Sequence, residues 1–351
     1  MMKLFPLLLI LVALLTACGE PQESARQAKF YAFGTEIDVS LYGVDAETAE
    51  KTVDALEDSF NPINDTWHAW KPSTLTRINK AIANGEPVEI KLQVAAVIEE
   101  AATYAKESHH LFNPAAGKLF ELWGYHRDDW FESRPPPAQD KIDAWLKAAP
   151  SMENIHIQDN ILTSDNPMVK LGFGGFAKGT AVDAAIEALK KQGVNNAIIN
   201  IGGDLRAIGK HGHRPWVIGI RHPRKEAAML ASVAVSGDES VFTSGDYERF
   251  FTYEGKRYPH ILDPRTGYPA QDNISATVIH QQAARADAAA TALIVAGKDW
   301  PEIAASMGIR EVMIVRTDGQ VEMTPSMQKK IHFTDKSTQP ILREIGTTTT
   351  P

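Results

Sequence analysis

His260-Ile261-Leu262-Asp263-Pro264-Arg265-Thr266-Gly267, then Ala276-Thr277-Val278-Ile279-His280, then Asp287-Ala288-Ala289-Ala290-Thr291 read as turn, buried strand and helix in succession. Pro264 fixes its own φ and keeps Asp263 out of helix, and Gly267 can take the positive φ that closes such a turn. The turn holds an imidazole and a carboxylate beside a hydroxyl. The alanine run opens a helix on which Asp287 and Thr291, four apart, share one face. A carboxylate oxygen and a hydroxyl oxygen on one helical face are hard ligands of the kind Mg²⁺ takes. A capped turn followed by a plain helix start has the same spacing, so the residues alone leave both readings open.

Outward from this stretch the chain alternates between strand-like and helix-like patterns. Phe30 to Tyr42 alternates as a strand, with Ile37, Val39 and Leu41 on one face. Ala46 to Asn61 and Gln93 to Ser108 carry apolar residues at helical spacing, and Lys178 to Gln192 forms a long helix ended by Gly193. Ala197 to Ile201, Trp216 to Arg221 and Glu311 to Val315 suit buried strands, and Pro301 to Met307 a short helix. Pro135-Pro136-Pro137 belongs to a surface loop. Strands following strands, with helices grouped between them, predict an α+β fold with largely antiparallel sheets.

Met1-Met2-Lys3 is a short positive start, and Leu4 to Ala17 is an almost unbroken apolar run. That run is shorter than the ~20 residues a spanning helix needs, so residues 1–17 read as a signal peptide. It ends in Leu15-Thr16-Ala17-Cys18, which looks like a bacterial lipoprotein processing box. Cys18 is the only cysteine, which excludes an internal disulfide. Its acylation would anchor the protein to a bacterial membrane on the periplasmic side. Residues 18–29 read as a flexible tether, residues 30–323 as the functional domain, and residues 324–351 as a polar tail whose Thr347-Thr348-Thr349-Thr350 run is disordered. With 44% hydrophobic and 23% charged residues, the composition is that of a globular enzyme. A net charge of −8 argues against nucleic acid as a partner, because phosphate backbones demand clustered Lys and Arg. A single anionic ligand held locally remains compatible with it.

Further short motifs stand in order along the chain: Phe33-Gly34-Thr35, Ser73-Thr74-Leu75-Thr76-Arg77-Ile78-Asn79, and Phe112-Asn113-Pro114-Ala115-Ala116-Gly117 leading into Leu122-Trp123-Gly124. After them come Gly174-Gly175-Phe176-Ala177-Lys178-Gly179, Asn200-Ile201-Gly202-Gly203-Asp204, and Thr243-Ser244-Gly245-Asp246-Tyr247-Glu248-Arg249. Together with the opening stretch they resemble the signature of the FAD:protein FMN transferase family, the ApbE-type lipoproteins, from about residue 30 to about residue 320.

The resemblance implies transfer of FMN from FAD to a Ser or Thr hydroxyl of an acceptor flavoprotein, an exported or membrane redox subunit, with release of AMP. It implies an FAD site between two interleaved lobes, touched by Phe33, Thr35, Ala115, Ala116, Gly117, Gly172, Lys178 and Leu262. It further implies Mg²⁺ held by Asp287, Thr291 and the carbonyl of Gly175. His260 or Asp263 would deprotonate or orient the acceptor hydroxyl, and the sequence does not choose between them. Glycines ahead of a helix N-terminus, with Lys178 among them, also suit phosphate on physical grounds. Two positions depart from the family pattern: Gly172 stands where Asp is common, and Ala290 where some members carry a second acid. Asp287 is therefore the one carboxylate of its segment, which Mg²⁺ tolerates because it keeps several waters. The same site would also serve an FAD pyrophosphatase yielding FMN and AMP; the reading outside catalysis is a flavin-binding lipoprotein.

Overall fold

The computed structural model describes residues 25–346. Its centre is a nine-stranded sheet in the order Arg26–Ala32, Thr35–Leu41, Ala197–Ile201, Asp204–Gly209, Gly237–Gly245, Asn273–His280, Glu311–Arg316, Val321–Met323 and Ile341–Leu342. Every neighbouring pair is antiparallel except the last. The α+β, mainly antiparallel architecture expected from the strand and helix patterns is the one observed.

The strand Asn273–His280, next to the middle of this sheet, is covered on both sides. Ala276 and Val278 point into the helix-covered cluster, while Ile279 packs in a second cluster under the small sheet built from Trp216–Arg221, Met229–Val235 and Ile331–Phe333. A register shift between Asn273 and Ser275 turns Ile274 to that second side as well. On the helical side lies Ala283–Ala296, buried at every residue but Arg285 and Thr291. Its alanines let the sheet on one side and the helix Ala177–Lys191 on the other approach closely. A Cβ on Gly179 would stand 2.4 Å from the Ala283 carbonyl oxygen, so only glycine allows this crossing. One turn further along the same helix, Asp183 accepts the N–H groups of Ala283 (2.9 Å) and Ala284 (3.0 Å) and caps the alanine helix from outside.

Four expectations are corrected. Phe30 to Tyr42 is a tight hairpin rather than one strand: Phe33 and Gly34 both take positive φ (54° and 71°), the pair a two-residue turn of this kind requires. Arg26 to Lys29, expected in the tether, form the start of its first strand, with Lys29 paired to Glu36 and Asp38 on the sheet edge. The alanine helix begins at Ala283, so Asp287 sits one turn inside it and is buried rather than at a solvated start. The polar tail is partly built into the fold, because Ile331–Phe333 and Ile341–Leu342 each complete a sheet through backbone hydrogen bonds that composition does not reveal. Cys18, the apolar leader and the Thr347–Thr350 run lie outside the described residues. No described helix is long and apolar enough to cross a membrane.

Candidate active site

A cavity of about 680 Å³ opens where three apolar clusters meet, with Phe112, Val241 and Leu262 each contributing from a different one. Its floor is the glycine-rich segment before the helix Ala177–Lys191. That segment is held from behind by Asn79, whose side chain donates to the Leu171 carbonyl (2.8 Å) and accepts the Leu171 N–H (2.6 Å), as a neighbouring strand would. Gly172 N–H donates to the Pro114 carbonyl and Gly117 N–H to that of Lys170, both at 2.8 Å. The motifs around Asn79, Asn113 and Gly172 are thus one bonded unit.

At the crossing a side chain of the alanine helix caps the glycine-rich helix start. Gly179 is the third residue of the helix Ala177–Lys191, among the first N–H groups that have no acceptor in their own helix. It donates to Asp287 Oδ2 (3.1 Å), and the Gly175 carbonyl, just ahead of the helix, accepts no backbone N–H of a described residue. A Cβ on Gly175 would lie 2.9 Å from Thr291 Oγ1, so this carbonyl belongs to a residue beside the hydroxyl one turn beyond Asp287. Thr291 Oγ1 in turn lies 3.3 Å from Ser244 Oγ. Burial pushes the Asp287 carboxyl up to about 7; Lys178 works against the rise and Asp204 adds to it. Lys178 is ion-paired to Asp204, which also accepts the Thr243 N–H (2.9 Å). Burial opposes the lysine's charge, and Asp204 and Asp287 more than offset it, so the ammonium is held above the ordinary lysine range.

His260 also lines the cavity, and its Nδ1 lies 3.1 Å from the Arg249 carbonyl. A carbonyl only accepts, so Nδ1 carries the proton and Nε2 is a free base. Burial, then the Arg249 and Lys178 charges, hold this imidazole down to about 3. It is therefore neutral across the physiological range.

The model of the ApbE family matches residues 33–314. The chain belongs to the ApbE family. It is 39% identical over 306 residues to an FAD:protein FMN transferase of Rhodobacter capsulatus, covering 86% of this chain but only 57% of that relative. With the Vibrio cholerae FAD:protein FMN transferase it shares 31% identity over 314 residues, 87% of this chain and 91% of the relative. The crystal structure of the ApbE protein from Thermotoga maritima superposes with a TM-score of 0.79 at 32% identity, covering 88% of this chain and 99% of that one.

Within this ApbE chain, most of the residues singled out in the sequence come together. Phe33, Thr35, Ala116, Gly117, Gly172, Gly175, Lys178, His260, Leu262, Asp287 and Thr291 all line the cavity. Two do not. Ala115 is fully buried, and its carbonyl accepts the Lys170 N–H in the seam behind the wall. Asp263 is spent on its own turn: its carboxylate accepts the Arg265 N–H (2.8 Å) and guanidinium (2.9 Å), and its carbonyl closes onto Gly267 (2.8 Å). Arg265 then reaches the Val295 carbonyl (2.9 Å), tying the turn to the end of the alanine helix. Asp263 thus organises the turn that presents His260, and of the two candidate bases His260 is the one on the cavity wall. Gly172, where a carboxylate was anticipated from the family pattern, faces His126: a Cβ there would start 3.9 Å from the ring Nε2.

Asp204, Ser244, Asn79 and Asp183 were not assigned roles from the sequence. Asp204, Ser244 and Asn79 lie inside quoted motifs or at their ends, and Asp183 lies in the helix that follows Lys178, but their task is to bond other site residues, and such pairings leave no trace in local spacing. The donor set at the helix crossing fits a hard divalent cation: one buried carboxylate destabilised by its surroundings, one hydroxyl, and one carbonyl that no described backbone N–H occupies.

Proposed function

We propose that this chain is a Mg²⁺-dependent FAD:protein FMN transferase that moves FMN from FAD to a Ser or Thr hydroxyl of an acceptor flavoprotein and releases AMP. The observation that carries this reading is the placement of a neutral, proton-accepting His260 and the oxygen set of Asp287, Thr291 and Gly175 on the walls of one cavity. The hydroxyl oxygen forms a bond to the phosphorus of the FMN half, and the bond from that phosphorus to the bridging oxygen breaks. The hydroxyl proton passes to His260 Nε2, and AMP departs with the bridging oxygen. Mg²⁺ bound by Asp287, Thr291 and the Gly175 carbonyl would supply charge stabilisation for the phosphoryl oxygens. Lys178 keeps Asp204 and Asp287 from repelling one another without a metal. Acylation at Cys18 would hold the enzyme on the periplasmic face of a membrane, near exported or membrane-bound acceptors.

Incubating the protein with FAD and Mg²⁺, with and without an acceptor subunit, tests the reading. AMP release coupled to covalent flavin on the acceptor is the expected result. AMP and free FMN without acceptor labelling would identify a pyrophosphatase, and FAD binding without AMP would leave a flavin-binding protein.

A further inference from the structure

Four cations line the cavity, and carboxylates already answer three of them. Lys178 is paired with Asp204, Arg127 with Asp129 and Arg221 with Glu248. Arg249 is different: its guanidinium makes no hydrogen bond or ion pair with any described residue. Burial works against its charge, and Glu248, the acid that offsets part of that cost, is engaged by Arg221. A guanidinium does not shed its proton, so its five N–H donors stay available to a ligand. The residue is half-buried and lines the open cavity, so an arriving anion can reach the guanidinium and offset the desolvation of its charge. The planar fork matches two oxygens of a phosphoryl group, which a lysine ammonium does not.

The backbone places this cation beside the base. The Arg249 carbonyl accepts both the N–H (3.0 Å) and the Nδ1–H (3.1 Å) of His260, so the residue just before the strand Phe250–Tyr253 is tied to the one just after its antiparallel partner Lys256–Pro259. Lys178, by contrast, is already answered by Asp204.

We infer that Arg249 is the anion-binding residue of this cavity, gripping two phosphoryl oxygens of a pyrophosphate-linked substrate beside His260, while Lys178 serves Asp204 and Asp287. The inference deepens the proposed FMN transfer and rests on it for the identity of the substrate; inorganic pyrophosphate probes the anion site without it. An anion held by Arg249 would lie next to His260, where the acceptor hydroxyl must also arrive.

The test is calorimetric binding of inorganic pyrophosphate, FAD and riboflavin to the full chain in detergent, as wild type, Arg249→Gln and Arg249→Lys, each with Mg²⁺ and with chelator. The expected result is that Arg249→Gln loses pyrophosphate binding and weakens FAD about 10- to 100-fold, with riboflavin unchanged. Arg249→Lys should recover only part of the loss, because it keeps the charge without the fork. Wild-type affinity for FAD and pyrophosphate in the Gln variant overturns the inference, and so does an equal loss for riboflavin, which would mark a packing role. Should Arg249→Gln fail to fold, the Lys variant decides: weakened pyrophosphate with unchanged riboflavin supports the site, and wild-type pyrophosphate affinity overturns it. Loss of pyrophosphate binding in Arg249→Gln, from a wild type that releases no AMP from FAD, would sink the transfer reading and leave the anion site standing.

Discussion

The Gly179 N–H donates to Asp287 Oδ2 at 3.1 Å across the crossing of two helices. One bond therefore links the glycine-rich floor of the cavity to the carboxylate of the alanine helix, and it caps a helix-start N–H that its own helix cannot satisfy. The approach is possible because Gly179 has no side chain to meet the Ala283 backbone. The register is set one turn away by Asp183, whose carboxylate holds the first two N–H groups of the alanine helix. Packing and chemistry are coupled at this crossing.

Gly179→Ala should accordingly damage both. The added methyl would stand 2.4 Å from the Ala283 oxygen, and overpacking of this kind costs about 1–3 kcal/mol. Urea unfolding should report that loss, and FMN transfer should fall further than stability alone explains, since Asp287 is displaced. An alanine variant with wild-type unfolding midpoint and activity would refute the close-crossing account.

Asp287→Asn separates metal binding from folding. In the unfolded chain this carboxyl titrates near 3.8, and in the fold near 7. The folded state therefore binds the proton more tightly, so stability held at low pH is lost as pH rises from about 4 through 7. The amide keeps an acceptor for Gly179 and carries no charge, so without metal the variant should melt no lower than wild type at pH 8. Mg²⁺ should raise the wild-type melting temperature at pH 8 and leave Asp287→Asn unmoved, with transfer reduced at least roughly 100-fold. Equal Mg²⁺ shifts in the two proteins would remove Asp287 from the metal site.

His260 and His126 give the opposite pH dependence. Burial is the leading cause for both, holding His126 down to about 4 and His260 to about 3, against 6.5 in the unfolded chain. The unfolded chain binds their protons first, so stability present above pH 6.5 is lost as pH falls. Between pH 6.5 and 5 each imidazole should cost about 2 kcal/mol. Guanidinium unfolding of His260→Gln and His126→Gln at pH 7.5 and 5 should show a shallower loss than wild type. His260→Gln should also lower the rate about 10²- to 10⁴-fold at saturating FAD while FAD binding persists. A variant that keeps the wild-type rate would dismiss His260 as the base.

Cys18→Ser should release the protein from the membrane fraction and leave transfer by the soluble form intact. Fractionation after expression in a Gram-negative host checks this. Equal membrane recovery of both forms would rule out the lipid anchor.

Much of this site is legible in the sequence because its chemistry sits in short motifs. The spacing of Asp287 and Thr291 puts both on one helical face wherever the helix goes, and glycines before Lys178 announce a close approach. Asp263 misleads for the same reason: within the motif it looks as available as His260, and only the fold shows Arg265 occupying it. Arg249 closes a motif without advertising a role, since being unpaired is a property of its surroundings.

Residue order determines the alternation of strands such as Ala197–Ile201, the helical faces, the turn at Pro264 and Gly267, and the family these imply. These rest on local backbone preferences and side-chain periodicity, which act over a few residues. Tertiary structure alone decides that Asp287 is buried, that Gly179 rather than water answers it, that His260 is neutral, and that Lys178 is paired while Arg249 is not. Those properties come from desolvation and from partners 26 to 108 positions away in the chain, as with Lys178 and Asp204 or Gly179 and Asp287. Burial and pairing set the charge of a group, and both exist only once the chain has closed around it.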